Sequence, residues 1–529
     1  MWNAMNREQI WEQLKTPWDL VIIGGGISGA GILREATRLG WRVLLIEADD
    51  FAAGTSSRSS KLVHGGFRYL KNAQLKMTLT SVRERERLLQ EGRGLITQLG
   101  FLFVHYQRDR FPPWVFGMGL ALYDLLAMRW NHRYYDAYDI LELSPYLKEE
   151  GLIGGYRYFD AQTDDARLVL RLLQESCEEG GCAINYCRAI ELLRRQDGRV
   201  CGVAVRDEAS QQDGRTAEIQ AKVVINACGA WADELRAQVG GKRRLRKLRG
   251  SHLILPRNRL PIQRAVTFLH PRDRRPVFAL PWEGVTLFGT TDVDHREALS
   301  VDASISPTEI DYLLSALQDV FPALQLSAAD IQATFAGVRA VVDTGKVDPS
   351  KESREHVLWL ENGLLTVSGG KLTTFRLMAH DALRAVSALL PAPRTYSVRQ
   401  RVLNEAALSL LSETNLPAAT RLRLLGRYGV RAVQVLNCAK AGELEPIAAT
   451  PSLWAELRWA ARAEAVFHLD DLLLRRVRLG LSLPQGGMSW IERIRATVQD
   501  ELAWSDARWE AEVSAYQDLW KTCYGVPLG

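Results

Sequence analysis

Cysteine is scarce and poorly spaced for either cross-links or metal. The seven cysteines, Cys177, Cys182, Cys187, Cys201, Cys228, Cys438 and Cys523, include no CxxC pair, and their number is odd. A reduced compartment fits this usage, whereas zinc or iron–sulfur ligation would need a cleaner ligand set, so no metal site is expected. Long apolar runs are also missing. The longest, Trp114–Tyr123, has ten residues and two glycines before Asp124 ends it, about half of what a spanning helix needs. Met1–Trp18 is polar and amphipathic and lacks the apolar centre of a signal peptide. A cytoplasmic protein, or one attached to a membrane face, is the expectation. Lys and Arg (67) exceed Asp and Glu (62) by only five, too few to mark a nucleic-acid binder. There is no internal repeat and no low-complexity tract.

What remains is ordinary globular material. A chain of 529 residues, 47% hydrophobic and 24% charged, can form about three or four domains and bury its core without staples. Asp19–Gly24 (DLVIIG) reads as a buried parallel strand, Ser28–Gly40 as a helix and Trp41–Glu47 as a second strand. Further on, Leu75–Gly100 and Arg167–Gly180 read as helices, and Val200–Val205, Ala221–Ala227, Val285–Gly289 and Leu364–Val367 as strands. Pro391-Ala392-Pro393 then punctuates the chain. Beyond a boundary placed near residue 395 the signals are helical, including Leu403–Leu411, Leu469–Arg478 and one long helix over Trp490–Thr522.

Gly24-Gly25-Gly26-Ile27-Ser28-Gly29 is a GxGxxG between the first strand and the first helix. Gly24 allows a tight turn, Gly26 lets the backbone approach a pyrophosphate, and Gly29 lets helix and strand pack closely. The amides of Ile27 and Ser28 open the helix, where an anion is favoured. Glu47 closes the next strand 23 positions after Gly24, suited to ribose hydroxyls and unsuited to a 2′-phosphate. Asp49–Lys61 (DDFAAGTSSRSSK) is small and hydroxyl-rich. A NAD dehydrogenase has no need of such a stretch, but FAD can be lined by it, through Thr55, Ser56, Ser57, Ser60 and Lys61. Val223–Gly229 (VVINACG) fits a strand returning to the cofactor at Ala227 and Gly229.

Ser56–Leu70 (SSRSSKLVHGGFRYL), Asp160–Leu170 (DAQTDDARLVL), Gly289–Val293 (GTTDV), Gly337-Val338-Arg339, Ser368–Thr374 (SGGKLTT) and Asp470–Gly480 (DDLLLRRVRLG) occur in this order. Together they resemble the FAD-dependent glycerol-3-phosphate dehydrogenases over nearly the whole chain. The resemblance implies an α/β fold in three parts. One is a FAD-binding Rossmann-like domain of the glutathione-reductase or amino-acid-oxidase type. The second is an interleaved mixed-sheet substrate domain, and the third is a C-terminal all-helical domain. The division expected is 17–395, with the FAD part mainly in 17–75, 160–235 and 335–395, followed by 396–529. The implied reaction is oxidation of sn-glycerol 3-phosphate to dihydroxyacetone phosphate, with electrons passing from non-covalently held FAD to membrane quinone. Leu62, His64, Gly65, Gly66, Gly370, Lys371, Leu372 and Thr373 then join the cofactor-binding set.

Phosphate recognition calls for arginines, whose planar forks bind oxyanions bidentately. By resemblance Arg68, Arg339 and Arg354 are the candidates, with Tyr69 as a hydrogen-bond donor. Lys371 can bind the substrate oxygen, and a helix opening at Thr373 can aim its positive end at the ring. His64 and His252 are the two histidines placed to act as base. Arg236–Arg275 holds thirteen Lys and Arg against one acid, Asp273; it reads either as a solvated face or as a patch for anionic headgroups. Arg108–Trp130 adds Phe111, Trp114, Phe116, Leu120, Leu122 and Trp130 beside basic residues, suited to an interfacial segment or to a core helix. Peripheral attachment to the inner face of the cytoplasmic membrane and a homodimer are the expected associations. Rival readings are an O2-using oxidase at the same site, an amine or hydroxy-acid oxidoreductase, and a non-catalytic flavoprotein. The Arg475-Arg476-Val477-Arg478 cluster could meet a partner, the core domain or a membrane.

Overall fold

The structure is a computed structural model that describes residues 4–66, 75–127, 130–209, 214–299, 302–346, 352, 355–394 and 400–527. Arg68, Tyr69 and Arg354, and the boundary expected near residue 395, lie outside the described residues.

Two sheets carry the N-terminal three quarters. The first runs in the order Val357–Glu361, Leu364–Ser368, Thr216–Asn226, Trp18–Ile23, Val43–Ile46, Cys182–Ile184. Its last five strands are parallel, and Val357–Glu361 closes one edge as a hairpin. The central strands are buried on both faces, as their unbroken Val, Leu and Ile require. Helices Ile27–Arg38, Asp165–Glu178 and Phe375–Val386 cover one face through Ile32, Leu33, Leu168, Leu172 and Met378. Each such side chain contributes ~1.5–3 kcal/mol on burial. Cys187–Arg194, Val200–Asp207 and the start of Thr216–Asn226 form an antiparallel meander. With Trp11 and Leu14 of the N-terminal segment it covers the other face.

The second sheet has ten strands and is mostly antiparallel. Leu245–Pro256 pairs with both Val285–Gly289 and Ala333–Val342, and the sheet continues through Ile96–Tyr106 and Leu152–Thr163 to the short Leu62–Val63. Helix Pro307–Val320, opened by a Ser306/Glu309 capping box, packs on one face. The helices beyond residue 400 pack on the other, joining Trp454, Leu472 and Tyr516 to Phe101, Ile254 and Phe335. No strand occurs among the described residues beyond 400.

Some elements differ from expectation. The helix read over Leu75–Gly100 stops at Glu91, and Ile96 begins a strand. Gly92 and Gly94 make the turn, with Gly94 at φ +85°. Leu403–Leu411 is helical only over Leu408–Leu411, and as a 3-10 turn. Trp490–Thr522 is two helices, Ile491–Leu502 and Asp506–Cys523, broken at Ala503 with φ +52° and re-opened by Ser505 as N-cap.

Candidate functional site

Four chain segments converge where the parallel strands end at their carboxyl edge. Gly24 follows Ile23, and its backbone lies against the carbonyl of Ala227, the residue after the neighbouring strand: a Cβ on Gly24 would sit 2.6 Å from that oxygen. A Cβ on Gly29 would sit 1.9 Å from the Gly24 carbonyl, so only glycine lets the helix start this close to the turn. The Gly25 amide donates to Glu47 at 2.5 Å. Burial lifts the Glu47 carboxyl to about 7, aided by Asp49. The Ile27 amide donates to Ser56 Oγ at 2.9 Å. Glycine backbone, opening helix amides, a strand-end carboxylate and a hydroxyl therefore share one groove, a donor and acceptor set that fits a ribose and pyrophosphate.

The groove continues along residues 54–66. Thr55 Oγ1 donates to the Val338 carbonyl, which places the loop against the residue before Arg339. Asp165 accepts from the Ser59 amide (3.0 Å), the Ser59 hydroxyl (2.7 Å) and Lys61 Nζ (2.8 Å). Asp164, its neighbour, caps the helix by accepting from the Arg167 amide. Downstream, Asp160 accepts from the Gly65 amide at 3.2 Å and from Arg85 at 3.1 Å. Asp165 and Asp160 of the DAQTDD segment thus hold the two halves of the SSKLVHGG segment. His64 is half-buried, and its carbonyl accepts from Thr373 Oγ1 at 3.2 Å.

Thr373 belongs to the SGGKLTT loop, which crosses from strand Leu364–Ser368 to helix Phe375–Val386. Gly370, at φ +77°, passes so near Met378 that a Cβ would lie 2.2 Å from its sulfur. Lys371 Nζ donates to Ser81 Oγ at 3.0 Å. On the substrate-sheet side, Arg339 Nη2 donates to Asp292 Oδ1 at 2.7 Å, and Arg275 Nη2 meets Asp292 Oδ2 at 2.9 Å. Asp292 is fully buried, while the Arg339 side chain keeps 28% exposure. The Asp of GTTDV therefore aims the Arg of GVR.

The comparisons agree with this geometry. Residues 19–382 match the family described as FAD dependent oxidoreductase, and residues 396–509 match the C-terminal domain of alpha-glycerophosphate oxidase. The chain is 35% identical to glycerol-3-phosphate dehydrogenase 2 of Mycobacterium tuberculosis, over 96% of this chain and 89% of that one. It is 32% identical to the aerobic glycerol-3-phosphate dehydrogenase of Staphylococcus aureus, over 90% and 89%. The chain belongs to the FAD-dependent glycerol-3-phosphate dehydrogenase family. The crystal structure of the Bacillus halodurans glycerol-3-phosphate dehydrogenase, complexed with FAD, superposes with a TM-score of 0.80 at 28% identity, covering 99% of this chain and 98% of that one. The expected three-part flavoprotein fold, FAD as cofactor and enzymatic character stand on these findings.

Within this dehydrogenase fold, three of the expected site residues are buried. His252 is 3% exposed, stacked on Phe335 at 4.6 Å and bonded to Ser60 Oγ at 2.9 Å. Burial, and then Lys61 and Arg339, push it down to about 3, which makes it a poor proton acceptor. Lys61 is fully buried, with its ammonium committed to Asp165 and the Ser57 carbonyl. Leu62 sits in the core beneath the helical domain. Lys61 and Leu62 can face a cofactor only through their backbone. Gly66 and Gly229 take left-handed turns at φ +78° and +56°, Leu372 packs on the first core, and Ser57 is buried.

The basic stretch is in large part paired. Arg236, Arg246, Arg249, Arg259, Arg272, Arg274 and Arg275 pair with acids, among them Glu361, Asp294, Glu309, Asp330, Asp311, Asp109 and Asp292. Seven of its cations are thus paired with acids. The residues not singled out beforehand are Asp160, Asp165 and Asp292. Each stands inside a motif, and the signal for it was an acid beside a segment rich in donors.

Proposed function

We propose that this chain oxidises sn-glycerol 3-phosphate to dihydroxyacetone phosphate, with hydride passed to flavin N5 and electrons handed on to membrane quinone. The observation that carries the reading is Arg339, aimed by a buried Asp292 and adjoining the loop that opens at Thr55. FAD, when bound, supplies the hydride-accepting ring. Gly24, Gly26, Ile27, Ser28, Gly29, Glu47 and Ser56 would hold its nucleotide half, and His64, Gly65, Gly66, Gly370, Lys371 and Thr373 its ring. Arg339, with Arg68, Tyr69 and Arg354, would grip the phosphate dianion and fix the substrate, so that orientation accounts for much of the rate. Lys371 would bind the substrate oxygen, and His64 is the remaining histidine to take the hydroxyl proton. The arginine set disfavours an amine or simple hydroxy-acid substrate. An O2-using oxidase would employ the same residues. The division at residues 395–396 into catalytic and helical domains is part of the same reading.

Quinone requires contact with lipid. No described helix is long and apolar enough to cross a membrane. Helix Pro113–Ala127, however, exposes Trp114 (59%), Met118 (58%) and Leu125 (68%), beside Phe111 and Trp130. Its inward face buries Leu120 and stacks Phe116 on Phe103 at 3.9 Å. An amphipathic element with an aromatic outer face suits attachment to the inner surface of the cytoplasmic membrane.

Anaerobic titration of the yellow protein with glycerol 3-phosphate tests the reaction. Rapid bleaching of the flavin band is expected, and far slower bleaching from glycerol or lactate; a band that stays oxidised would overturn the substrate. Quinone and O2 offered afterwards identify the acceptor, and pelleting with anionic liposomes, lost on Trp114→Glu with Leu125→Glu, tests the attachment.

A further inference from the structure

The helical domain reaches into the cofactor groove from behind. Arg478 Nη2 donates to the Ser57 carbonyl at 2.7 Å and to Asp165 Oδ1 at 3.0 Å. Lys61 Nζ donates to the same Ser57 carbonyl and to both oxygens of Asp165. All three side chains are at most 1% exposed. One residue before this doubly anchored carbonyl, Ser56 presents its hydroxyl to the first amide of the dinucleotide helix. The same domain holds the start of the loop. Arg476 meets both oxygens of Asp50 at 2.6 and 2.7 Å, and Arg475 Nε donates to Asp50 as well. Ala52 then returns its amide to the Gly25 carbonyl at 3.1 Å. Beyond Ser57, Arg58 Nε donates to the Tyr524 hydroxyl at 3.1 Å.

Packing alone would be served by apolar contacts, of which the second core supplies many. Buried cations ending on a backbone carbonyl do something else: they fix one peptide plane in direction as well as position, because charge-assisted bonds are both strong and oriented. We infer that Arg478 is a positioning residue for FAD, and that the helical domain acts as a clamp that sets the 50–61 loop in its cofactor-holding form. Arg478 reaches the loop at the Ser57 carbonyl. It acts through Ser57 on Ser56.

The test uses the full-length holoenzyme, with FAD dissociation followed by recovery of flavin fluorescence and the Kd taken from reconstitution of the apoprotein. Arg478→Met is expected to raise the Kd at least about tenfold (about 1.4 kcal/mol), with the KM for glycerol 3-phosphate at saturating FAD changed by less than about threefold. Arg478→Lys should recover part of the loss. Arg171→Met is the control. Arg171 also ties the two domains together, through the carbonyls of Leu425 (2.9 Å) and Asn404 (2.8 Å), but makes no bond to the 50–61 loop. It should lower the melting temperature comparably while leaving the Kd within about twofold. Equal loss of FAD in Arg171→Met and Arg478→Met, or a wild-type Kd in Arg478→Met, would refute the clamp. Should Arg478→Met fail to fold, Arg478→Lys and the isosteric Asp165→Asn decide, each expected to raise the Kd and each counting against the idea if it does not.

Discussion

Replacing Arg339 by Met should abolish most of the preference for a phosphorylated substrate. The guanidinium is oriented by its bond to the buried Asp292 and keeps part of its surface open, where a substrate anion can meet it. A charge-assisted hydrogen bond contributes ~1.5–3 kcal/mol, and a fork on a phosphate makes two, partly weakened by water at a half-buried site. A loss of about 2 to 4 kcal/mol follows, or roughly 30- to 900-fold in kcat/KM for glycerol 3-phosphate. The rate with glycerol, which has no phosphate to lose, should move little. Asp292→Asn should act in the same direction by about tenfold, since Arg339 remains but two arginines then share a neutral amide. Stopped-flow reduction under anaerobic conditions measures both substrates directly. If Arg339→Met lost rate equally on glycerol and its phosphate, the damage would be structural and the phosphate role wrong. A kcat/KM within about threefold of wild type would refute it outright.

Two further outcomes follow from buried titratable groups. His252→Gln keeps an acceptor for Ser60, and because His252 sits near 3 it is neutral throughout the working range; the pH limbs of kcat should stay within about half a unit of wild type, and a displaced limb would restore His252 as the base. Burial drives the Asp50 carboxyl up, but Arg476 and Arg475 outweigh it and hold it at about 2, below the ordinary 3.8. A depressed carboxylate stabilises the fold above its unfolded value and loses that contribution as pH falls through its folded one. Thermal melts should therefore fall between about pH 4 and pH 2, with a shallower slope in Asp50→Asn; parallel slopes would show that this pair does not couple the domains.

Much of the nucleotide half was legible because its signals are local. A β-branched run, three glycines and a strand-end acid fall within 29 residues, Asp19 to Glu47, and the backbone rules that join them act at short range. What was not legible is long-range. His252 looked available because a strand start says nothing of Phe335 or Ser60, which cover it from elsewhere in the chain. The basic stretch looked unbalanced because its partners, from Asp109 to Glu361, are brought in from elsewhere in the fold. The Leu75–Gly100 helix was overextended because the apolar spacing continues through a glycine turn into a strand, where the period changes. The role of the arginine cluster at 475–478 needed the packing of the helical domain to show that it meets the core.

Arg478 and Ser57 are 421 residues apart in the chain. During synthesis at ~5–20 residues per second, roughly 20 to 80 s pass between the emergence of the loop and of the arginine that fixes it. For that interval the nascent chain holds its glycine turn and its hydroxyls without the restraint behind them. If the clamp sets the loop, tight cofactor capture in the cell comes late, and a product that stops short of Arg478 holds its flavin more weakly than the full chain.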